Sequence, residues 1–308
     1  MSTIAIIGFM AAVVVLSLAI LYRLSDRETM TAATFRADSG YQLAQLSAGD
    51  TAYQVYGPDD GPVVIILHGA TLGSMAYRGY VPPLVEAGYR VVMYDQYGRG
   101  FSDRPKQPFT LDLLRRQLLD LMDDLSIDKA HLFGISLGGA LAARFGAEHG
   151  QRVASIAYQV PAVAGANVSL ALMLSKTPIL GAFLTRLYAV PAIIARGESF
   201  GTDTPEARQV VEHFQTQFQV IGTERVMRQL LTGDALSDRM ADHQKIGASG
   251  IRAQFVYATD DPEIAAADVE KALAFYTEPD VHQYTGGHFF SGAYMDELPA
   301  KLDSFFKS

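Results

Sequence analysis

Cysteine is absent from the 308 residues, which removes disulfides, thiol nucleophiles and thiolate metal sites. Basic clusters are absent too, and at a formal net charge of −8 the chain carries no footprint for nucleic acid. No repeat, low-complexity tract or long run of like charge interrupts it. The histidines lack an H-x-x-x-H spacing, so neither metal nor cofactor is expected. What is present is 49% hydrophobic residues in a length that suits one large α/β domain with an insertion.

Charge is also missing from Ile4 to Tyr22, an apolar run that as a helix spans about 28 Å against a hydrocarbon core of about 30 Å. The run predicts a single membrane-spanning helix, with residues 1–30 forming the anchor and its linker. A cleaved signal peptide is the rival reading. Against it, no Lys or Arg precedes the run, and the small residues Thr31-Ala32-Ala33 lie well beyond its end. Arg23, Arg27 and Arg36 all follow the helix, so the positive-inside rule places the following domain on the cytoplasmic side.

Beyond the polar stretch Arg23–Thr34, apolar periodicity alternates between strand and helix. Tyr41–Leu46 and Thr51–Tyr56 predict a hairpin turning at Ala48-Gly49-Asp50. Val63–Leu67, Arg90–Tyr94, the run from Ala130 that stops at Gly134, and Val153–Gln159 predict buried strands. Helical patterns lie between them at Tyr77–Ala87, Leu111–Leu125 and Leu137–His149. Ile251–Tyr257, Ala265–Phe275, Val281–Tyr284 and Tyr294–Phe306 predict a closing strand–helix–strand–helix run. Such alternation argues a mostly parallel sheet covered on both faces. Residues 35–160 and 251–308 are the expected core. Between them, residues 161–250 offer helical pattern alone and predict an inserted cap.

The chemistry centres on Gly134-Ile135-Ser136-Leu137-Gly138, a G-x-S-x-G between a strand and a helix. In that context it means a nucleophile elbow: a tight, strained turn projects the serine hydroxyl, and glycines two before and two after avoid clashes. The glycines lack the Lys-Ser/Thr ending of a phosphate loop. Acyl transfer at serine also needs a base, a carboxylate to orient it and donors for an oxyanion. His288, after the last strand in Gly286-Gly287-His288-Phe289, fits the base. Asp260 and Asp261, after the preceding strand, are the candidate carboxylates.

The chain resembles the α/β-hydrolase fold family in these motifs and their order. It carries the His-Gly strand end at His68-Gly69-Ala70. It carries D-x-x-G-x-G-x-S from Asp95 to Ser102, then the elbow, the acid turn and the G-G-H-F loop. The resemblance covers Tyr41 to Phe306. It implies an α/β-hydrolase fold with a mostly parallel central sheet, a helical cap, and an oxyanion hole from the N–H groups of Ala70 and Leu137. The family's acid turn reads G-x-x-D-x-x-x-P; here Ala258 and Ala265 occupy the Gly and Pro positions, and that register selects Asp261. A serine nucleophile argues against the haloalkane dehalogenase and epoxide hydrolase branches. His68 resembles a structural histidine, and Asp95, Arg99 and Ser102 are expected to brace a loop.

The apolar cap segment Leu170–Ala195, which includes Leu170, Leu172, Met173, Ile179 and Leu180, suggests an acyl chain in the pocket or a face on the bilayer. The expectation is a membrane-anchored serine hydrolase of carboxylic esters, most simply lipid-like ones, working through Ser136, His288 and Asp261. Carbon–carbon bond hydrolysis and lactone opening use the same triad and stay open. A non-catalytic binding role would need a missing triad member.

Overall fold

A computed structural model describes residues 2–165, 174–197 and 203–308. The cap residues Leu170, Leu172 and Met173 fall outside them.

An eight-stranded sheet runs in the order β1-β2-β4-β3-β5-β6-β7-β8. β1 (Gln42–Leu46) and β2 (Gly49–Tyr56) form a hairpin, and β2 runs antiparallel to β4 (Arg90–Tyr94). The turn falls at Ser47-Ala48 and not on the expected Ala48-Gly49-Asp50, because Leu46 pairs directly with Gly49. β3 (Val63–Leu67), β5 (Ala130–Ile135), β6 (Val153–Gln159), β7 (Ala253–Ala258) and β8 (Asp280–Tyr284) continue in parallel. β3 is an unbroken apolar run because helices cover both faces of the sheet; Val64 to Leu67 are wholly buried.

One layer over the sheet is α4 (Leu111–Asp124) and α5 (Leu137–Glu148). Leu111, Leu114, Leu118, Leu121 and Met122 bring the apolar stripe of α4 into the core, and the Thr110 hydroxyl caps its start on the Leu113 N–H at 3.2 Å. The opposite layer holds α3 (Val81–Glu86), entered by a 3-10 turn at Ser74–Tyr80. Pro82 and Pro83 fit its first turn, where helix N–H groups have no partner to lose.

Among the described residues, the helices between β6 and β7 are α6 (Pro178–Leu184), α7 (Val190–Arg196), α8 (Pro205–Thr216), α9 (Thr223–Thr232) and α10 (Met240–Ser249). A π-helical turn at Thr185–Ala189 joins α6 to α7. α11 (Ala266–Leu273) separates β7 from β8, and α12 (Leu298–Lys307) closes the chain. The closing helix begins at Leu298, later than the expected Tyr294; a separate 3-10 turn occupies Phe290–Tyr294.

At the other end, α1 (Thr3–Leu24) buries none of its residues. α2 (Ala32–Arg36) begins inside the polar stretch Arg23–Thr34, and Arg36 pairs with Asp50 at 2.6 Å and Asp103 at 2.7 Å. Met30 bridges Val220 of the cap.

Burial dominates the pKa of three histidines: His68, His131 and His243 are each lowered from 6.5 to about 4. Each stays neutral in the folded chain, whereas the unfolded chain takes up the proton below its ordinary value. Their contribution to stability is therefore complete above about pH 6.5, lost as pH falls towards about 4, and constant below that. The urea midpoint is expected to fall across this window, and His243→Gln to flatten the slope by one proton. A midpoint unchanged across the window would contradict it.

Candidate active site

Ser136 leaves β5 and starts α5 at φ 53°, ψ −116°. Such a conformation costs on the order of 1–3 kcal/mol for a residue with a side chain. Glycines hold the turn by close backbone approach. A Cβ on Gly138 would lie 1.9 Å from the Leu67 carbonyl oxygen, and one on Gly134 2.5 Å from that of Gly138. The helix-to-strand approach is tightest at Gly138; Gly139 makes room for Pro161, 2.7 Å from its would-be Cβ. The turn is also bonded to the exit of β6. The Ser136 N–H donates to the Gln159 carbonyl at 3.0 Å, and the Ala162 N–H donates to the Ser136 carbonyl at 3.0 Å. Between those partners lies Val160 at φ 40°, unusual for a β-branched residue.

Across the sheet edge, His288 Nε2 lies 3.1 Å from the Ser136 hydroxyl, and His288 Nδ1 lies 2.7 Å from Asp261 Oδ2. The second Asp261 oxygen accepts the N–H groups of Glu263 at 2.8 Å and Ile264 at 2.9 Å. Burial by itself would raise the Asp261 pKa, but the His288 bond and these two donors outweigh it and hold the carboxyl below its usual range. Asp260 is exposed; its side chain takes the Thr259 hydroxyl at 3.1 Å and stays off the histidine. With Nδ1 on a carboxylate and Nε2 on a hydroxyl, the imidazole is oriented to accept the serine proton.

Ala70 and Leu137 flank Ser136. Leu137 is the first residue of α5, so its N–H has no intrahelical partner. Ala70 and Ser136 line one cavity. The loop behind Ala70 is braced by buried polar groups. The Arg99 guanidinium donates to the Ala70 carbonyl, and burial, with Arg104 nearby, lowers its pKa to about 9. His68 Nε2 accepts the Gln96 N–H at 2.8 Å, which fixes the proton on Nδ1 beside the Gly69 carbonyl. Asp95 receives the N–H groups of Ser74 at 2.7 Å and Phe101 at 2.9 Å. Ser102 ties the Asp95 carbonyl to the Ala52 N–H.

Two groups at the site had no motif to announce them. Glu263 Oε2 lies 3.9 Å from His288 Nε2, and its other oxygen pairs with Arg196 of the cap. The Tyr77 hydroxyl lies against Gly69: a Cβ there would be 3.0 Å from that oxygen and 3.5 Å from Ser136 Cβ. Burial pushes its pKa up to about 12, so the phenol is protonated.

The cavity at Ser136 has a volume of about 310 Å³, with Val163, Gly165, Leu236 and Ile264 among its apolar walls and Asp261, Glu263 and Asp268 among its acidic ones. Its lining residues include no lysine or arginine among the described residues. A second cavity, of about 460 Å³, adjoins His288 through Phe289 and is walled by Leu72, Ala76, Tyr77, Val210 and Met295.

A family model described as alpha/beta hydrolase fold matches residues 62–184. The enol-lactonase of Burkholderia xenovorans LB400 superposes with a TM-score of 0.71 at 18% identity, over 87% of this chain and all of that one. The chain has the α/β-hydrolase fold. Among curated relatives, the 2-hydroxy-6-oxo-6-phenylhexa-2,4-dienoate hydrolase of Burkholderia cepacia is 36% identical over 138 residues, 43% of this chain and 46% of the relative. The haloalkane dehalogenase of Mycobacterium marinum is 36% identical over 135 residues, 40% of this chain and 46% of the relative. The chain thus spans less than half the length of these curated relatives.

Within this α/β-hydrolase elbow, Gly138→Ala has no room without moving backbone. Overpacking of this kind costs typically about 1–3 kcal/mol. A loss of that size in urea unfolding is expected for Gly138→Ala, against a small change for Gly292→Ala, where a Cβ meets nothing within 4 Å. Equal losses at the two positions would contradict the close approach.

Proposed function

We propose that the protein is a serine hydrolase of carboxylic esters with apolar acyl groups, anchored in a membrane by α1. The observation that carries the reaction is the continuous set Ser136–His288–Asp261 opening on a cavity. Ser136 Oγ attacks the ester carbonyl carbon while His288 Nε2 takes its proton. The carbonyl oxygen gains the negative charge and is met by the N–H groups of Ala70 and Leu137. The intermediate collapses to acyl-Ser136, and His288 returns the proton to the departing alkoxide. Water then attacks the acyl carbon with His288 as base, releasing the acid and restoring the serine.

The wall of the cavity favours a neutral substrate. Among the described residues, Asp261, Glu263 and Asp268 line it without a lysine or arginine beside them, so a dienoate such as that named for the Burkholderia cepacia relative would meet like charge. The second, apolar cavity beside His288 adds volume for a hydrocarbon chain. Serine as nucleophile supports ester over carbon–halogen chemistry. The uncharged run Ile4–Tyr22 of α1, exposed from Ile4 to Leu21, and Arg23, Arg27 and Arg36 after it support a single-pass anchor with the catalytic domain on the cytoplasmic side.

Ser136→Ala is expected to abolish labelling by a fluorophosphonate probe; undiminished labelling would refute the nucleophile. Asp261→Asn is expected to lower kcat by about 10⁴-fold through the wrong imidazole tautomer, with Asp260→Asn close to unchanged. Rates on p-nitrophenyl esters of increasing chain length are expected to peak at medium or long chains. Faster turnover of vinylogous diketones or lactones than of any ester would overturn the substrate class. C-terminal reporter fusions check the topology.

A further inference from the structure

The segment between α1 and the core is fastened to the cap, and the fastening carries apolar side chains to the place where α1 ends. The Tyr22 ring lies 4.9 Å from that of Phe183 in α6. Arg186, in the following π-turn, is 8% exposed, with its guanidinium 4.0 Å above the Tyr22 ring. It donates to the Tyr22 carbonyl at 3.0 Å and pairs with Asp26 at 3.2 Å and Glu224 of α9 at 2.7 Å. Backbone bonds continue the seam. Thr29 and Met30 donate to the Gln219 carbonyl at 2.8 and 3.0 Å, and Ile221 donates to the Met30 carbonyl at 2.9 Å. The Glu28 carboxylate takes the Glu224 N–H at 2.7 Å.

Helical spacing puts Ile179 and Leu180 on the Phe183 side of α6, the side that meets α1. Neither is covered: Ile179 is 79% exposed and Leu180 46%, with Ile221, next to the Met30 seam, at 56%. Exposure of this extent on a helix packed against a globular domain is unexplained by the core. Cations rim the area: Arg23 ends α1, exposed Lys176 precedes α6, and Arg228 holds the Ser175 and Thr177 carbonyls at 3.4 and 3.0 Å. Length and composition would also let Pro178–Arg196 cross a membrane, but Arg186 near its middle is paired into the cap.

We infer that the first turns of α6, with Ile221, form an interfacial face that lies in the surface of a phospholipid bilayer containing anionic lipid, beside the point where α1 enters it. This rests on the proposed anchoring by α1. The occupant is a bilayer because the face adjoins the end of an apolar helix with no buried residue, because tyrosine at a helix end suits the membrane–water boundary, and because Arg23, Lys176 and Arg228 stand on its rim while Glu224 is paired with Arg186. A cap lying in that surface would receive apolar esters from the lipid phase.

The chain contains no tryptophan, so single reporters are unambiguous. The full chain carrying Ile179→Trp, Leu180→Trp, Ala11→Trp or Val281→Trp would be reconstituted in phosphatidylcholine–phosphatidylglycerol vesicles with and without brominated acyl chains. Ile179→Trp and Leu180→Trp are expected to emit to the blue and to lose roughly half their intensity to bromine, as for a face about 5–10 Å into the headgroup–acyl boundary. Ala11→Trp, inside α1, is expected to be quenched, and Val281→Trp, exposed on β8, to be untouched. Quenching at Ala11→Trp without quenching at Ile179→Trp and Leu180→Trp overturns the face and leaves the anchor standing. No quenching at any position overturns both. A blue shift at Ile179→Trp that depends on protein concentration and ignores bromine overturns the bilayer in favour of a second copy of the chain.

Discussion

The Leu67 carbonyl packed against Gly138 is the contact on which the site depends. It lets the end of β3 and the start of α5 approach until no Cβ fits between them. The turn between β5 and α5 then has room only for a residue at positive φ, and Ser136 takes that conformation. A strained residue persists when its surroundings over-determine it. Here the constraints come from β3 on one side and, through Gln159 and Ala162, from β6 on the other. The hydroxyl direction is a property of three strands, and the histidine and carboxylate arrive on loops after two more.

Around that turn the chain concentrates buried polar groups, each with a partner of definite type. Asp95 organises two loops through backbone N–H groups, Ser102 ties its carbonyl to β2, and Arg99 grips the carbonyl of Ala70. Leaving such a group unpaired in the interior costs about 1–3 kcal/mol, so together they fix the loop bearing Ala70 more firmly than apolar packing would. Asp261 follows the same logic: two N–H donors hold one oxygen while the other meets His288.

Much of this was legible in the sequence, for physical reasons. β3, β4 and β6 fall on the residues their apolar runs mark, because a strand buried on both faces tolerates little else. The elbow and the order of serine, carboxylate and histidine were readable because each needs particular residue types next to a strand end. What escaped lacks local signature. Tyr77 reaches Gly69, beside Ser136, only through the folding of the loop after β3, and Glu263 gains meaning only from the placement of His288 and Arg196. The seam between residues 22–30 and the cap pairs positions over 150 residues apart through backbone groups and the side chains of Tyr22, Arg27, Glu28 and Arg186, which no periodicity records. The hairpin turn shifted because pairing register, with Leu46 opposite Gly49, overrode turn propensity.

Val160 gives the insertion a boundary. Its positive φ lies between the acceptor of the Ser136 N–H and the donor to the Ser136 carbonyl, so the first residues past β6 serve two masters. They begin the insertion, and they also scaffold the turn at Ser136. The splice point available to evolution, or to a protein engineer exchanging the insertion, therefore lies downstream of Ala162. A graft made at the end of β6 would replace the insertion and take away the mould in which the serine is set.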